Sequence, residues 1–267
     1  MNAGATNEGM RCIKMLAGEF LAQEGIDGHY DVFEVRIAGR IPKLEDYDIY
    51  ISSGGPGSPL ISGEAWETDY FDLLDSLLRH NLSSWNKKHL FLICHSFQLA
   101  CLHWDLAKVT KRRSTSFGIL PIFKTTSGEQ EVLFEGLQDP FYAVDSRDYQ
   151  VVGPKEWKLD TLEGKVLCRE KIRPNVSLER AVMAIRFSNE IFGVQFHPEA
   201  DAEGMLRHFQ KEEKREQIIK KYGKYKYFHM LDQLVDESKI MKTNHTIIPR
   251  FLMLVGEAIE RNKLQAV

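Results

Sequence analysis

Three residues stand where their side chains can act together on one substrate: Cys94, His197 and Glu199. Cys94 ends the apolar run Leu90-Phe91-Leu92-Ile93, and an amphipathic segment begins almost at once, at Phe97. A strand that turns directly into a helix lifts the junction residue above the sheet edge. There the free N–H groups and the helix dipole favour a thiolate. His197 follows a second apolar run, Gly193-Val194-Gln195-Phe196, and Glu199 lies two residues further on. An imidazole beside a thiol can take its proton, and a carboxylate can hold that ring in one tautomer. A third stretch, Ile51-Ser52-Ser53-Gly54-Gly55-Pro56-Gly57-Ser58-Pro59, follows another apolar run. Its glycines and prolines force a tight turn and leave backbone N–H groups uncovered, as an anion or a developing oxyanion requires. Each stretch alone has a plainer reading, as a buried structural cysteine, a surface histidine or a loop. Together they supply nucleophile, base, orienting carboxylate and oxyanion donors, a complete set for acyl transfer.

Such residues converge only if the chain brings them to one edge. Short apolar runs alternate with helical patterns, which predicts an α/β fold with a doubly wound, mostly parallel sheet of the flavodoxin-like kind. Strands are expected over residues 30–37, 47–52, 89–93, 181–187 and 191–196, and helices over 10–24, 67–80 and 97–104. Residues 118–148 read as short strands and turns. In an open sheet of this kind the strand C-terminal ends share one crevice, where all three stretches can meet. Residues 1–9 are small and polar, like the loop after a first strand. Either the sheet lacks that strand or Met1 is an internal methionine of a longer chain; the second is the working expectation.

The Gly54-Gly55-Pro56-Gly57-Ser58 turn, the Cys94 elbow with Gln98 four residues on, and Phe196-His197-Pro198-Glu199 resemble the class I glutamine amidotransferases, in the same order. The resemblance covers about residues 1–205. It implies that Cys94 attacks the glutamine side-chain amide, that ammonia leaves, and that water hydrolyses the γ-glutamyl thioester. It further implies His197 as general base and acid, Glu199 as orienter, and the backbone N–H groups of Gly55 and His95 as the oxyanion hole. Gln98 is then expected near the glutamyl pocket. Neither cofactor nor metal is implied. Two departures stand out. The family elbow reads Gly-x-Cys-x-Gly, whereas Leu92 and Ser96 occupy the glycine positions here. A second motif, Ser-His-x-Asp before a Val, is replaced by Ser146-Arg147-Asp148-Tyr149-Gln150-Val151. Ser146 and Arg147 are taken as substrate-binding, since a guanidinium can pair bidentately with an α-carboxylate.

The expected activity is therefore release of glutamate and ammonia from glutamine. With no synthetase-sized second domain, the ammonia would go to a separate synthetase subunit, or the chain would act alone on a γ-glutamyl compound. A catalytically silent regulatory or binding module on the same fold is the alternative from another class, and acyl transfer from a thioester to a different acceptor is a third. Cys94, His95, Cys101 and His103 also form a candidate zinc set, but adjacent Cys-His ligands fit structural zinc spacing poorly.

The composition excludes other classes. The chain has 267 residues, 43% of them hydrophobic and 27% charged, so it can bury a core. No apolar run approaches the ~18 residues of a membrane span. The first residues lack the basic and apolar regions of an export signal, and four scattered cysteines make no disulfide framework, so a cytoplasmic location is expected. Residues 206–267 carry 13 Lys/Arg and 8 Asp/Glu, leaving −8 on the other 205 residues of a chain whose net charge is −3. Glu212, Glu213 and Glu216 interrupt the basic run, which favours a solvated helix over a nucleic-acid surface. The tail reads as two or three helices beyond a boundary near Gly204. The last is introduced by Pro249 and carries Phe251, Leu252 and Val255 on one face, for helical packing or a homodimer surface.

Overall fold

The computed structural model describes residue 1 and residues 8–265. Seven strands form one sheet: β1 (Ile49–Ser52), β2 (His89–Ile93), β3 (Lys108–Lys124), β4 (Phe141–Val152), β5 (Lys165–Arg169), β6 (Val182–Arg186) and β7 (Ile191–Val194), in the order β1-β2-β7-β6-β4-β3-β5. Helices before the last strand are α1 (Glu8–Leu21), α2 (Val35–Ala38), α3 (Ala65–Ser83), α4 (His95–His103), α5 (Thr126–Glu129) and α6 (Glu156–Asp160). After β7 come α7 (Ala202–Gln210), α8 (Glu212–Tyr222), α9 (Lys224–Leu234), α10 (Ile240–Asn244) and α11 (Ile247–Gln265).

Every residue of β2 is buried, because helices cover both faces of the sheet there. Successive strand residues point to opposite faces. Leu90 and Leu92 accordingly pack with Leu74 and Leu77 of α3 and Phe97 of α4. Phe91 and Ile93 pack on the other face with Ile13, Leu16 and Phe20 of α1 and Phe251 and Leu252 of α11.

Only β1, β2 and β7 run parallel. The expectation of a mostly parallel, flavodoxin-like sheet is corrected here: β6 runs antiparallel to β7, and β4, β3 and β5 continue antiparallel. Because β5 also pairs with β6, strands β3 to β6 close into a small barrel-like ring. The reason lies in the connections. A parallel pair needs a long crossover, which α3 supplies between β1 and β2, whereas β6 ends at Arg186 and β7 starts at Ile191, a tight return that only an antiparallel pair allows. Residues 118–148, read as short strands and turns, contain the end of one long strand, β3, and the larger part of another, β4.

Residues 30–37 form no strand; the chain is irregular to Glu34 and then enters α2. Their alternating apolar residues instead wall a cavity of about 230 Å³ beside β1, which is the sheet edge among the described residues. The reading of residues 1–9 as a loop falls mostly outside the described residues. The boundary expected near Gly204 lies inside α7. Phe251, Leu252 and Val255 of the apolar stripe after Pro249 pack within the chain, with the Phe251 ring 5.1 Å from that of Phe91. No described helix is long and apolar enough to cross a membrane.

Candidate active site

The elbow begins where β2 stops. The Cys94 N–H donates to the Val194 carbonyl at 2.7 Å, the last link between β2 and β7. One residue on, α4 starts, and the Gln98 N–H donates to the Cys94 carbonyl at 3.0 Å. Joining strand to helix without a loop leaves Cys94 at φ 51°, ψ −96°, a conformation that a side-chain-bearing residue adopts only under constraint. Its thiol reaches a cavity of about 310 Å³ whose wall includes Gly54, Ser146, His197, Met205 and Phe209.

His197 is held at the same edge by its N–H, which donates to the Val144 carbonyl of β4 at 2.8 Å. The ring's Nδ1 is 2.9 Å from Glu199 Oε1, and its side chain hydrogen-bonds Cys94. Glu199 is 2% exposed, and its other oxygen, Oε2, has no protein partner. Burial by itself would push the imidazole pKa down. The Glu199 carboxylate and the Cys94 sulfur outweigh it and raise the pKa well above the ordinary value. The ring thus lies between the Glu199 carboxylate and the Cys94 sulfur, placed to exchange a proton with the thiol. Gly54 lies so close that a Cβ there would come 2.9 Å from the His197 ring and 3.4 Å from Cys94 Cβ. The glycine turn after β1 thus closes against the side chains of both Cys94 and His197.

The remaining expected residues fall in three places. Gly55 lines the cavity, and a Cβ on it would strike the Met1 carbonyl at 2.0 Å. His95 opens α4 with its ring buried and hydrogen-bonded to the Gly55 backbone, its Nε2 unpartnered. Ser146 is on the cavity wall. Arg147 is not, which corrects the expectation that it meets a substrate carboxylate. Neighbouring strand residues face opposite sides, so its side chain enters the barrel, where it is 1% exposed and paired with Asp145 at 2.9 Å and Glu170 at 3.3 Å. Gln98 also faces inward: its amide donates to Gln195 Oε1 at 3.0 Å and the Tyr149 carbonyl at 3.2 Å.

Gln195, unassigned in the sequence reading, completes the set. Its Nε2 is 3.6 Å from Cys94 Sγ, and Gln98 orients it from behind. A lone amide inside an otherwise apolar strand end was the available signal, since such a group is buried only with partners. The four candidate zinc ligands do not converge: His103 bonds Asp75, and Cys101 sits in the apolar core.

Among curated proteins, none matches the sequence. The family described as glutamine amidotransferase class-I matches residues 21–213. The chain belongs to that family. Two solved structures share its fold: a glutamine amidotransferase from Thermotoga maritima (16% identity, 81% of each chain, TM-score 0.60) and a glutamine amido transferase from Methylobacillus flagellatus (15% identity, 92% of this chain and 88% of that one, TM-score 0.63).

Within this class-I glutamine amidotransferase domain, both elbow departures have a physical account. Leu92 pairs in register with Gly193 on β7. The Leu92 Cβ lies 3.3 Å from where a Gly193 Cβ would stand, so the missing side chain across the ladder makes its room. Ser96 uses its hydroxyl. It accepts from the Ile93 N–H at 2.9 Å and donates to the Ser52 carbonyl at 2.7 Å, tying the elbow to β1.

Proposed function

We propose that the chain hydrolyses the side-chain amide of glutamine, or of a related γ-glutamyl compound, through a thioester on Cys94. The observation that carries this reading is the Cys94–His197–Glu199 line, with its raised imidazole pKa, at the wall of an open cavity. In the first half-reaction the Cys94 thiolate attacks the amide carbon, and the charge that develops on oxygen faces the turn at Gly55 and the start of α4 at His95. The imidazolium of His197 gives its proton to the departing ammonia. His197, now neutral, takes a proton from water as that water attacks the thioester. The tetrahedral intermediate then expels the Cys94 sulfur as thiolate, which restores the thiolate–imidazolium pair, and the new γ-carboxylic acid loses its proton to solvent as glutamate leaves. Glu199 keeps the ring in place throughout. Gln195, donating toward the sulfur, favours the thiolate at both ends of the cycle.

The reading continues with ammonia passing to a separate acceptor, such as a synthetase subunit; the chain works without a cofactor, in the cytoplasm. The test is covalent labelling with a glutamine-analogue diazo-ketone, followed by peptide mass mapping, together with an assay of glutamate release. Label on Cys94 that vanishes in Cys94→Ala, with glutamate formed only by the unaltered chain, is the expected result. Neither label nor glutamate would overturn it in favour of a silent binding module.

A further inference from the structure

Glu199, the carboxylate that orients the His197 ring, is held by a part of the chain that lies beyond the family match. Asn244, the last residue of α10, donates from Nδ2 to the main-chain carbonyl of Glu199 at 2.8 Å, across 45 residues of sequence. Asn244 is 1% exposed, and the family match ends at residue 213. Burying an amide is unfavourable unless it is bonded, so an apolar residue would serve simple packing here at least as well. The neighbour Thr243, also 1% exposed, donates to the Tyr142 carbonyl of β4 at 2.7 Å. Two residues further along β4, Val144 holds the His197 main chain. A single turn of helix thus references Glu199 and His197 to the same strand. On the opposite side Arg11 of α1, also outside the matched residues, grips Asp201 at 2.5 Å. Glu199 itself offers little to fix its position, since its carboxylate makes one bond to His197 and its second oxygen has no partner.

We infer that Asn244 is a positioning residue for the catalytic triad, which sets Glu199 against His197 through the Glu199 main chain. The inference rests on the proposed Cys94 chemistry, and its test is arranged so that the two can fail separately. Asn244→Leu keeps the branched shape and removes the donor. In that variant the His197 ring, followed by NMR titration and assigned by its loss in His197→Gln, should titrate at lower pH than in the unaltered chain. Cys94 and Glu199 bond that ring, while Glu8, Asp201 and His208 share the cavity wall and stay unchanged. Alkylation of Cys94 by iodoacetamide at neutral pH should slow by roughly tenfold or more, as small displacements of reacting groups do. In a Glu199→Gln background the same substitution should cost less than about twofold, because the two residues act in series. An unchanged His197 titration, or an equal loss in both backgrounds, would overturn the inference. Should Asn244→Leu not fold, Asn244→Ala, which removes the donor without adding bulk, enters the same measurements with the same expected and overturning outcomes. If the unaltered chain releases no glutamate, the hydrolysis reading falls, while the titration still decides the role of Asn244.

Discussion

At the scale of single residues, the site is a contest between burial and charge. His197 and His95 both belong to the candidate site yet are shifted in opposite directions. His197 is raised because Glu199 and Cys94 outweigh its burial. His95 is lowered to about 4, chiefly by burial, with Arg36 adding to it, against a small opposing effect of Glu67 and the Gly55 backbone. The sign for stability follows. Between an unfolded value near 6.5 and the folded value near 4, the unfolded chain binds a proton that the folded chain refuses. His95 therefore stabilises nothing lost at high pH; it draws stability away as pH falls from about 6.5 toward 4, by about 3 kcal/mol at most. Thermal melts across this range should show the loss, and His95→Leu should flatten it relative to the unaltered chain. A slope that persists undiminished in His95→Leu would mean that other groups carry it.

Among elements, the elbow shows how a departure from a family pattern is absorbed by its neighbours. Leu92 occupies space that Gly193 vacates on the paired strand, and Ser96 turns a position of minimal size into a three-way hydrogen-bond node. Gly193 is the sensitive point. A Cβ there would lie 2.7 Å from the Phe97 ring and 2.8 Å from the Phe187 ring, and both rings are fully buried. Gly193→Ala should therefore destabilise by about 1–3 kcal/mol, the usual range for an overfilled core. Calorimetry should register a fall of several degrees in Tm, and a Tm equal to that of the unaltered chain would show that the two rings can move aside.

For the molecule as a whole, the C-terminal helices are part of the core rather than an attachment. Ile247, Ile248, Phe251, Leu252 and Val255 of α11 are each at most 5% exposed and lie in one cluster with Phe91, Phe192 and Phe20. At ~2 kcal/mol per buried side chain they contribute about 10 kcal/mol, comparable to the entire net stability of a typical domain. A chain ending at residue 239 should accordingly lose its cooperative thermal transition and bind a hydrophobic dye. A truncated protein that melts like the full chain would instead mark residues 240–267 as separable. The basic surface of α8 and α9 is a distinct matter: Lys220, Lys221 and Lys224 stand outward, with Tyr225 84% exposed, Lys214 and Lys226 are half-buried, and Ile218, Tyr227 and Met230 turn inward onto Ile119 and Val144.

What the sequence alone determined were the local features: Cys94 at a strand-to-helix junction, His197 and Glu199 after a buried strand, the glycine turn, and the strands at 47–52, 89–93, 181–187 and 191–196 to within a few residues. Each depends on neighbours in the chain, through periodicity, turn chemistry and apolar runs, and so is legible in one dimension. Only the tertiary structure decided the rest. Strand direction past β7, and with it the barrel, depends on which edges pair, which the alternation of residues in a strand does not encode. Residues 30–37 carry a strand pattern yet form none, because a strand exists only with a partner. Arg147 and Gln98 have types suited to substrate binding, but the face of the strand and the buried side of the helix turned them inward. Asn244 and Gln195 acquire roles only through partners 45 and 101 residues away, respectively Glu199 and Cys94, a distance over which sequence spacing carries no geometry.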